Sequence, residues 1–183
     1  EKMLRMRGRP KVLLARNYEE AVALYKKYEH RTLGIVTDVS FMREGVKDKE
    51  AGLRFSRFVR SRDPYLPIIV ESTEVANAEY VKEFNGIFLD KTSKKLPVDL
   101  GKQISHNFGF GDFVMRNPRD GSEIMRIHSL NEMQKRLFQI PDETLHYHAC
   151  RNDISRWLYS RAMFPIADII ARHRFRDISE APE

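Results

Sequence analysis

Leu33-Gly34-Ile35-Val36-Thr37-Asp38 is the stretch that decides the fold. A short apolar run that ends in a carboxylate reads as a strand buried on both faces with a polar carboxyl end. Two later runs repeat the pattern. Ile68-Ile69-Val70 leads into Glu71-Ser72-Thr73, and Gly86-Ile87-Phe88-Leu89 leads into Asp90-Lys91. Between them, residues 51–62 carry Leu53, Phe55, Phe58 and Val59 at helical spacing, and Pro64 and Pro67 frame a turn. Residues 77–84 and 96–104 read as two further helices. Ahead of the quoted stretch, Asn17 stands as the N-cap of an amphipathic helix that carries Ala21, Leu24 and Tyr25 and runs to about residue 28. Residues 11–15, Lys-Val-Leu-Leu-Ala after Pro10, read as one more buried strand, and 43–50 as a polar loop. Strands alternating with helices predict an α/β fold with a parallel sheet and right-handed crossovers.

Composition narrows the class. The chain has 183 residues, 42% of them hydrophobic and 32% charged, which fits a globular protein rather than a disordered one. No apolar run reaches the roughly 18 residues of a membrane span, so no membrane association is expected. The single cysteine, Cys150, excludes an internal disulfide and suits the cytoplasm. The formal charge of +6 is spread along the chain in Arg5-Met6-Arg7-Gly8-Arg9, Lys94-Lys95 and Arg172-His173-Arg174-Phe175-Arg176. Dispersed basic residues read as solvated faces, and nucleic acid is not an expected partner. The chain does not begin with Met, so a piece of something longer is the expectation.

Chemistry concentrates at the strand ends. Ligands of an open parallel sheet bind outside the carboxyl ends of its strands. Asp38, Ser72 and Lys91 fall at three successive ends, and the crossovers should bring them into one crevice. A carboxylate serves as a nucleophile toward a phosphoryl group, a hydroxyl bonds it, and an ammonium pairs with its charge. Taken singly, Asp38 reads as a turn former, Ser72 as an N-cap and Lys91 as a surface charge.

These segments resemble the receiver domain of response regulators. Residues 33–41 match the segment that ends in the phosphorylated aspartate, residues 67–72 the fourth strand with its terminal hydroxyl, and residues 86–91 the fifth strand with its lysine. Gly52 matches the glycine after the phosphorylation loop. The resemblance implies a flavodoxin-like sheet over residues 1–105 and a two-component, phosphorelay role. It makes Asp38 the phosphoacceptor, Ser72 and Lys91 the phosphoryl-binding pair, and Phe88 the aromatic switch. It implies magnesium at Asp38, held together with acidic residues upstream of this chain, and a histidine kinase or phosphotransfer protein as partner.

Two features depart from the receiver pattern. Residues 11–15 match the second receiver strand, so the first, with its magnesium-binding acids, is missing; residues 1–10 are basic. Met42 stands where receivers carry a proline, and the loop 43–50 is longer than usual. This chain by itself is therefore expected to bind magnesium poorly. A missing strand would also leave a gap beside 11–15 and 33–37. Buried unpaired amides cost about 1–3 kcal/mol each, so direct pairing of those strands, or association with another chain, is expected over an open gap.

Residues 106–183 change texture and read as a smaller α+β module. Residues 113–116 and 123–127 flank Asn117-Pro118-Arg119-Asp120-Gly121 as a β-hairpin, and Ser129 opens a helix to about residue 138. Pro141-Asp142-Glu143-Thr144 enters a long helical segment, broken or continuous, to about residue 173. On it, His148, Arg151, Asn152 and Ser155 are spaced to share one face, a candidate interaction surface. His146 and Cys150, four apart, also share a face, but a metal site is not the expected reading. Residues 108–114 and 147–158 resemble a region that follows a receiver-like segment in bacterial proteins related to phosphoenolpyruvate synthase. That implies a regulatory region attached to a catalytic one, not the enzyme itself.

Two other readings compete. A haloacid-type phosphotransferase would use Asp38 as nucleophile but wants a second acid two residues on, where Ser40 stands. A pseudo-receiver would keep the fold and act only through protein contacts.

Overall fold

The computed structural model describes residues 10–172, which divide into two compact units, 10–108 and 109–172. In the first unit, helix α1 (Tyr18–Tyr28) is capped by Asn17, whose side chain accepts from the Glu20 amide at 2.8 Å. Strand β1 (Ile35–Asp38) follows, then a hairpin of β2 (Phe41–Arg43) and β3 (Val46–Asp48). Helix α2 (Ala51–Arg62), β4 (Ile68–Ser72), α3 (Asn77–Glu83), β5 (Ile87–Asp90) and α4 (Leu96–Asn107) complete the unit. The three strands β1, β4 and β5 form a parallel sheet in the order β1-β4-β5. Two small antiparallel hairpins lie outside it. The chain is thus an α/β protein, and none of its described helices is long and apolar enough to cross a membrane.

Alternation along the strands splits the core between the two sheet faces. Ile68 and Val70 pack with Tyr25, Leu53, Phe55 and Val59 from α1 and α2. Ile69 and Leu89 face the other way, against Phe108 and the Leu96, Leu100 and Ile104 stripe of α4. Burying both faces is what makes the Ile68-Ile69-Val70 part of β4 a continuous apolar run.

Two expectations are corrected here. Residues 11–15 form no strand and are exposed, with Val12 at 85% and Leu14 at 81%. A strand needs a partner for its backbone groups, and no described strand lies beside this one. The polar loop expected over 43–50 is instead the β2–β3 hairpin, closed by Glu44 and Gly45 with φ of 51° and 78°. Two successive positive φ angles make the tight turn whose twist suits a hairpin.

The direct pairing of 11–15 with β1 therefore does not occur. The Ile35 amide donates to the Pro67 carbonyl at 2.9 Å and the Val39 amide to the Glu71 carbonyl at 3.2 Å. Odd-numbered residues of β1 thus bond toward β4, and the Val36 backbone points outward, where no described strand lies. Such an edge invites strand addition. The chain is expected to sediment as monomer and dimer in concentration-dependent proportion, with the Val36 amide protected from hydrogen exchange in the dimer. A monomer at every concentration with fast exchange at Val36 would show that the edge stays open.

The second unit begins with the hairpin of β6 (Phe113–Arg116) and β7 (Glu123–Ile127), followed by helix α5 (Leu130–Arg136), which Ser129 caps by accepting from the Glu132 amide. The long helical segment is three helices: α6 (Asp142–Cys150), α7 (Asp153–Ser160) and α8 (Phe164–Arg172). Asn152 with φ of 57° breaks the first two, and Ala162 with φ of 59° the next. The glycine-rich stretch at 109–111 is held by α7. Trp157 Nε1 donates to the Gly111 carbonyl at 3.1 Å, and Arg161 donates to the carbonyls of Gly109 and Gly111 while its guanidinium sits 4.0 Å over the Trp157 ring.

Candidate functional site

Parallel register brings three strand ends level. Asp38 pairs with Glu71, Ser72 with Asp90, and the Lys91 amide donates to the Ser72 carbonyl at 2.9 Å. There Lys91 Nζ donates to Asp38 Oδ2 at 2.6 Å. Both side chains are partly exposed, at 31% and 45%, so the pair contributes less than about 1 kcal/mol and opens readily. Ser72 is buried, and its Oγ accepts from the Glu74 amide at 3.0 Å and from Asn77 Nδ2 at 2.9 Å. Asp38, Ser72 and Lys91 line one cleft of about 490 Å³. Phe88 lies apart from it, partly buried on β5 against the core that α1 and α2 build.

The position of Asp38 depends on Gly52. The Gly52 amide donates to the Val39 carbonyl at 2.9 Å, and a Cβ on Gly52 would overlap the Asp38 carbonyl oxygen. The first turn of α2 thus lies directly against the end of β1.

Sequence reasoning missed part of the cleft. Lys47 and Lys49 line it from the β2–β3 hairpin, together with Val39, Ser40, Thr73, Glu74 and Asn77. The hairpin is held in place from two sides. Asp48 takes Arg43 at 3.5 Å and Arg54 at 3.4 Å, and the Glu44 amide donates to Glu19 Oε1 at 3.1 Å. The one available signal was the short alternation around Glu44-Gly45, weaker than the Asn-Gly or Asp-Gly turn that marks a hairpin from sequence.

Magnesium, which the receiver resemblance implies, does not fit these residues. It wants about six oxygens, usually including carboxylates. The cleft offers the carboxylates of Asp38 and Glu74 against the ammoniums of Lys47, Lys49 and Lys91, and Asp38 already accepts from Lys91. Asp90, at the end of β5, accepts instead from the amide and hydroxyl of Thr92, which hold its carboxyl below the usual range. Among the described residues no group of three or more His, Cys, Asp or Glu side chains is placed to hold a metal.

In the second unit the expected face of His148, Arg151, Asn152 and Ser155 does not form. His148 lies on α6 and Ser155 on α7, with the helix break between them, and both are buried. His148 instead bridges the unit. Its Nε2 accepts from the Arg116 amide at 2.9 Å, which leaves Nδ1 to donate to Asp153 Oδ2 at 2.8 Å. Arg156 donates to Asp153 Oδ1 at 2.6 Å. Burial alone would push the Asp153 carboxyl up. The His148 hydrogen bond and the charges of Arg156 and Arg151 outweigh it and hold the group below its usual range. His146 and Cys150 do share a face, with Sγ 3.5 Å from Nε2.

No family model matches this chain, and no curated protein and no solved structure matches it.

Proposed function

We propose that the chain is the regulatory part of a two-component-type protein. Residues 10–108 act as a receiver-like, flavodoxin-type unit with Asp38 as phosphoacceptor, and residues 109–183 relay its state, in the longer protein to a phosphoenolpyruvate synthase-like region. The single observation that carries this reading is the Asp38–Lys91 pair at 2.6 Å, in one cleft with Ser72. An Asp38 carboxylate oxygen would form the new bond to phosphorus as the donor's phosphorus–nitrogen or phosphorus–oxygen bond breaks, the donor being a phosphohistidine or an acyl phosphate. Lys91 would turn from the carboxylate to the phosphoryl oxygens, and the Ser72 hydroxyl would bond one of them. The acyl phosphate carries about −1.5 to −2 charge in place of the carboxylate's −1, a net gain of about −0.5 to −1 at the strand ends, and the Lys91 and Ser72 shifts carry that change into β4 and β5. In this reading Phe88, three residues before Lys91, is the ring that follows it. A cytoplasmic location and a histidine kinase or phosphotransfer protein as donor belong to the same reading.

The test is phosphotransfer. With a phosphohistidine donor, the complete gene product is expected to gain one hydroxylamine-labile phosphoryl group, absent in Asp38→Asn. The 183-residue chain is expected to take up far less from acetyl phosphate with magnesium, because its described residues do not form a magnesium site. A complete gene product that stays unmodified would overturn the assignment of Asp38. A second reading, a pseudo-receiver that acts only through protein contacts, is favoured by one observation: the cleft sets three lysines against only two carboxylates, a poor setting for the metal that phosphoryl transfer to a carboxylate needs.

A further inference from the structure

The cleft carries more positive charge than a phosphoacceptor site with bound magnesium has use for. Three lysines and two carboxylates line it. Lys91 is paired with Asp38, whereas Lys47 and Lys49 are exposed and have no ion-pair partner among the described residues. Two hydroxyls in the same wall have donors to spare. Ser72 Oγ accepts two hydrogen bonds, and its own proton has no acceptor among the described residues. Ser40 Oγ is buried without any partner. Buried hydroxyls in native proteins nearly always find partners, so two unspent donors beside two unpaired ammoniums describe a missing acceptor.

We propose that this cleft binds a phosphate-class dianion reversibly and without a divalent metal, with Lys47, Lys49 and Lys91 meeting its charge and Ser40 and Ser72 donating to its oxygens. The hairpin supplies positive charge in place of a cation: Lys47 on β3 and Lys49 just beyond it line the same cleft as Asp38. The Asp48–Arg54 pair and the bond from the Glu44 amide to Glu19 tie that hairpin to α2 and α1. A volume of about 490 Å³ exceeds what inorganic phosphate fills and lies in the range of small-molecule sites. The ligand is therefore a phosphomonoester with a small organic group, or free phosphate. This inference does not require phosphoryl transfer to Asp38.

The experiment is a titration of the 183-residue chain with inorganic phosphate and, separately, methyl phosphate, at constant ionic strength in EDTA. Amide chemical shifts and calorimetry supply the readouts. Saturable binding with shifts at Ser40, Lys47, Lys49 and Ser72 is expected, and the tighter of the two probes identifies the source. A hydrogen bond to a charged group contributes about 1.5–3 kcal/mol, so Lys47→Ala and Lys49→Ala should each weaken binding about tenfold or more. Both side chains are exposed, so neither change should alter the fold. Asp38→Asn removes a repelling charge and frees Lys91, and should tighten binding several-fold while abolishing any phosphorylation. That opposite response separates this inference from the phosphoacceptor reading. Non-saturable shifts, binding that appears only when magnesium is added, or lysine variants that bind like the parent would each overturn it.

Discussion

Gly52→Ala is expected to destabilise the 10–108 unit by about 3 kcal/mol, the upper end of the usual range for overpacking, and to disrupt the cleft with it. The added methyl would overlap the Asp38 carbonyl oxygen, a backbone atom that no rotamer change can move. Relief requires α2 to back away from β1, which breaks the 2.9 Å bond from the Gly52 amide to the Val39 carbonyl. It also loosens Leu53, Phe55 and Val59, all of which pack in the same core. Chemical denaturation should show a lower midpoint, and the amide signals of Asp38, Val39 and Ser40 should move most. Gly101 supplies the control: a Cβ there meets nothing within 4 Å, so Gly101→Ala in mid-helix α4 should be neutral or mildly stabilising. Equal effects of the two substitutions would mean that the β1–α2 contact does not constrain the site.

The largest expected effect in the second unit is at Asp153. Asp153→Ala removes the carboxylate that faces His148 Nδ1 at 2.8 Å and Arg156 at 2.6 Å. The side chains of His148 and Arg156 are only 4% and 6% exposed, so water cannot replace it. Removing one partner of such a cluster costs about 3 kcal/mol or more. His148 also ties α6 to β6 through the Arg116 amide, so the hairpin should loosen together with the helices. Thermal or denaturant unfolding of the variant should show a separate, earlier transition for this unit. The same carboxyl sets an acid limit. Its pKa lies below the usual value in the folded state, so its contribution is fully present above the unfolded-state value of about 3.9 and is lost as pH falls through the lower folded value. Asp153→Asn should therefore flatten the acid limb of the stability profile. A variant that kept the parent's acid limb would place the pH dependence elsewhere.

Much of the architecture was legible because it follows from local rules. Asn17 and Ser129 cap helices through short-range bonds, and the run at 68–70 is apolar because both sheet faces are covered there. The hairpin around Asn117–Gly121 was readable from its turn residues and flanking alternation. Residues 11–15 mislead for a physical reason. Lys-Val-Leu-Leu-Ala has strand composition, but a strand exists only beside a partner, and composition cannot reveal whether that partner is there. The His148–Ser155 face failed for a comparable reason: helical spacing holds only while the helix continues, and Asn152 in the left-handed region ends it.

The sequence by itself determined the parallel α/β pattern and the candidacy of Asp38, Ser72 and Lys91, since a strand's polar end shows directly in the order of residues. Only the tertiary structure decided what surrounds them. Lys47 and Lys49 reach the cleft because Arg54 on α2 and Glu19 on α1 anchor the hairpin that carries them. The sign of the charge facing Asp38 is a sum over side chains brought together by folding. Coulomb interactions depend on distance in space, which sequence separation does not report.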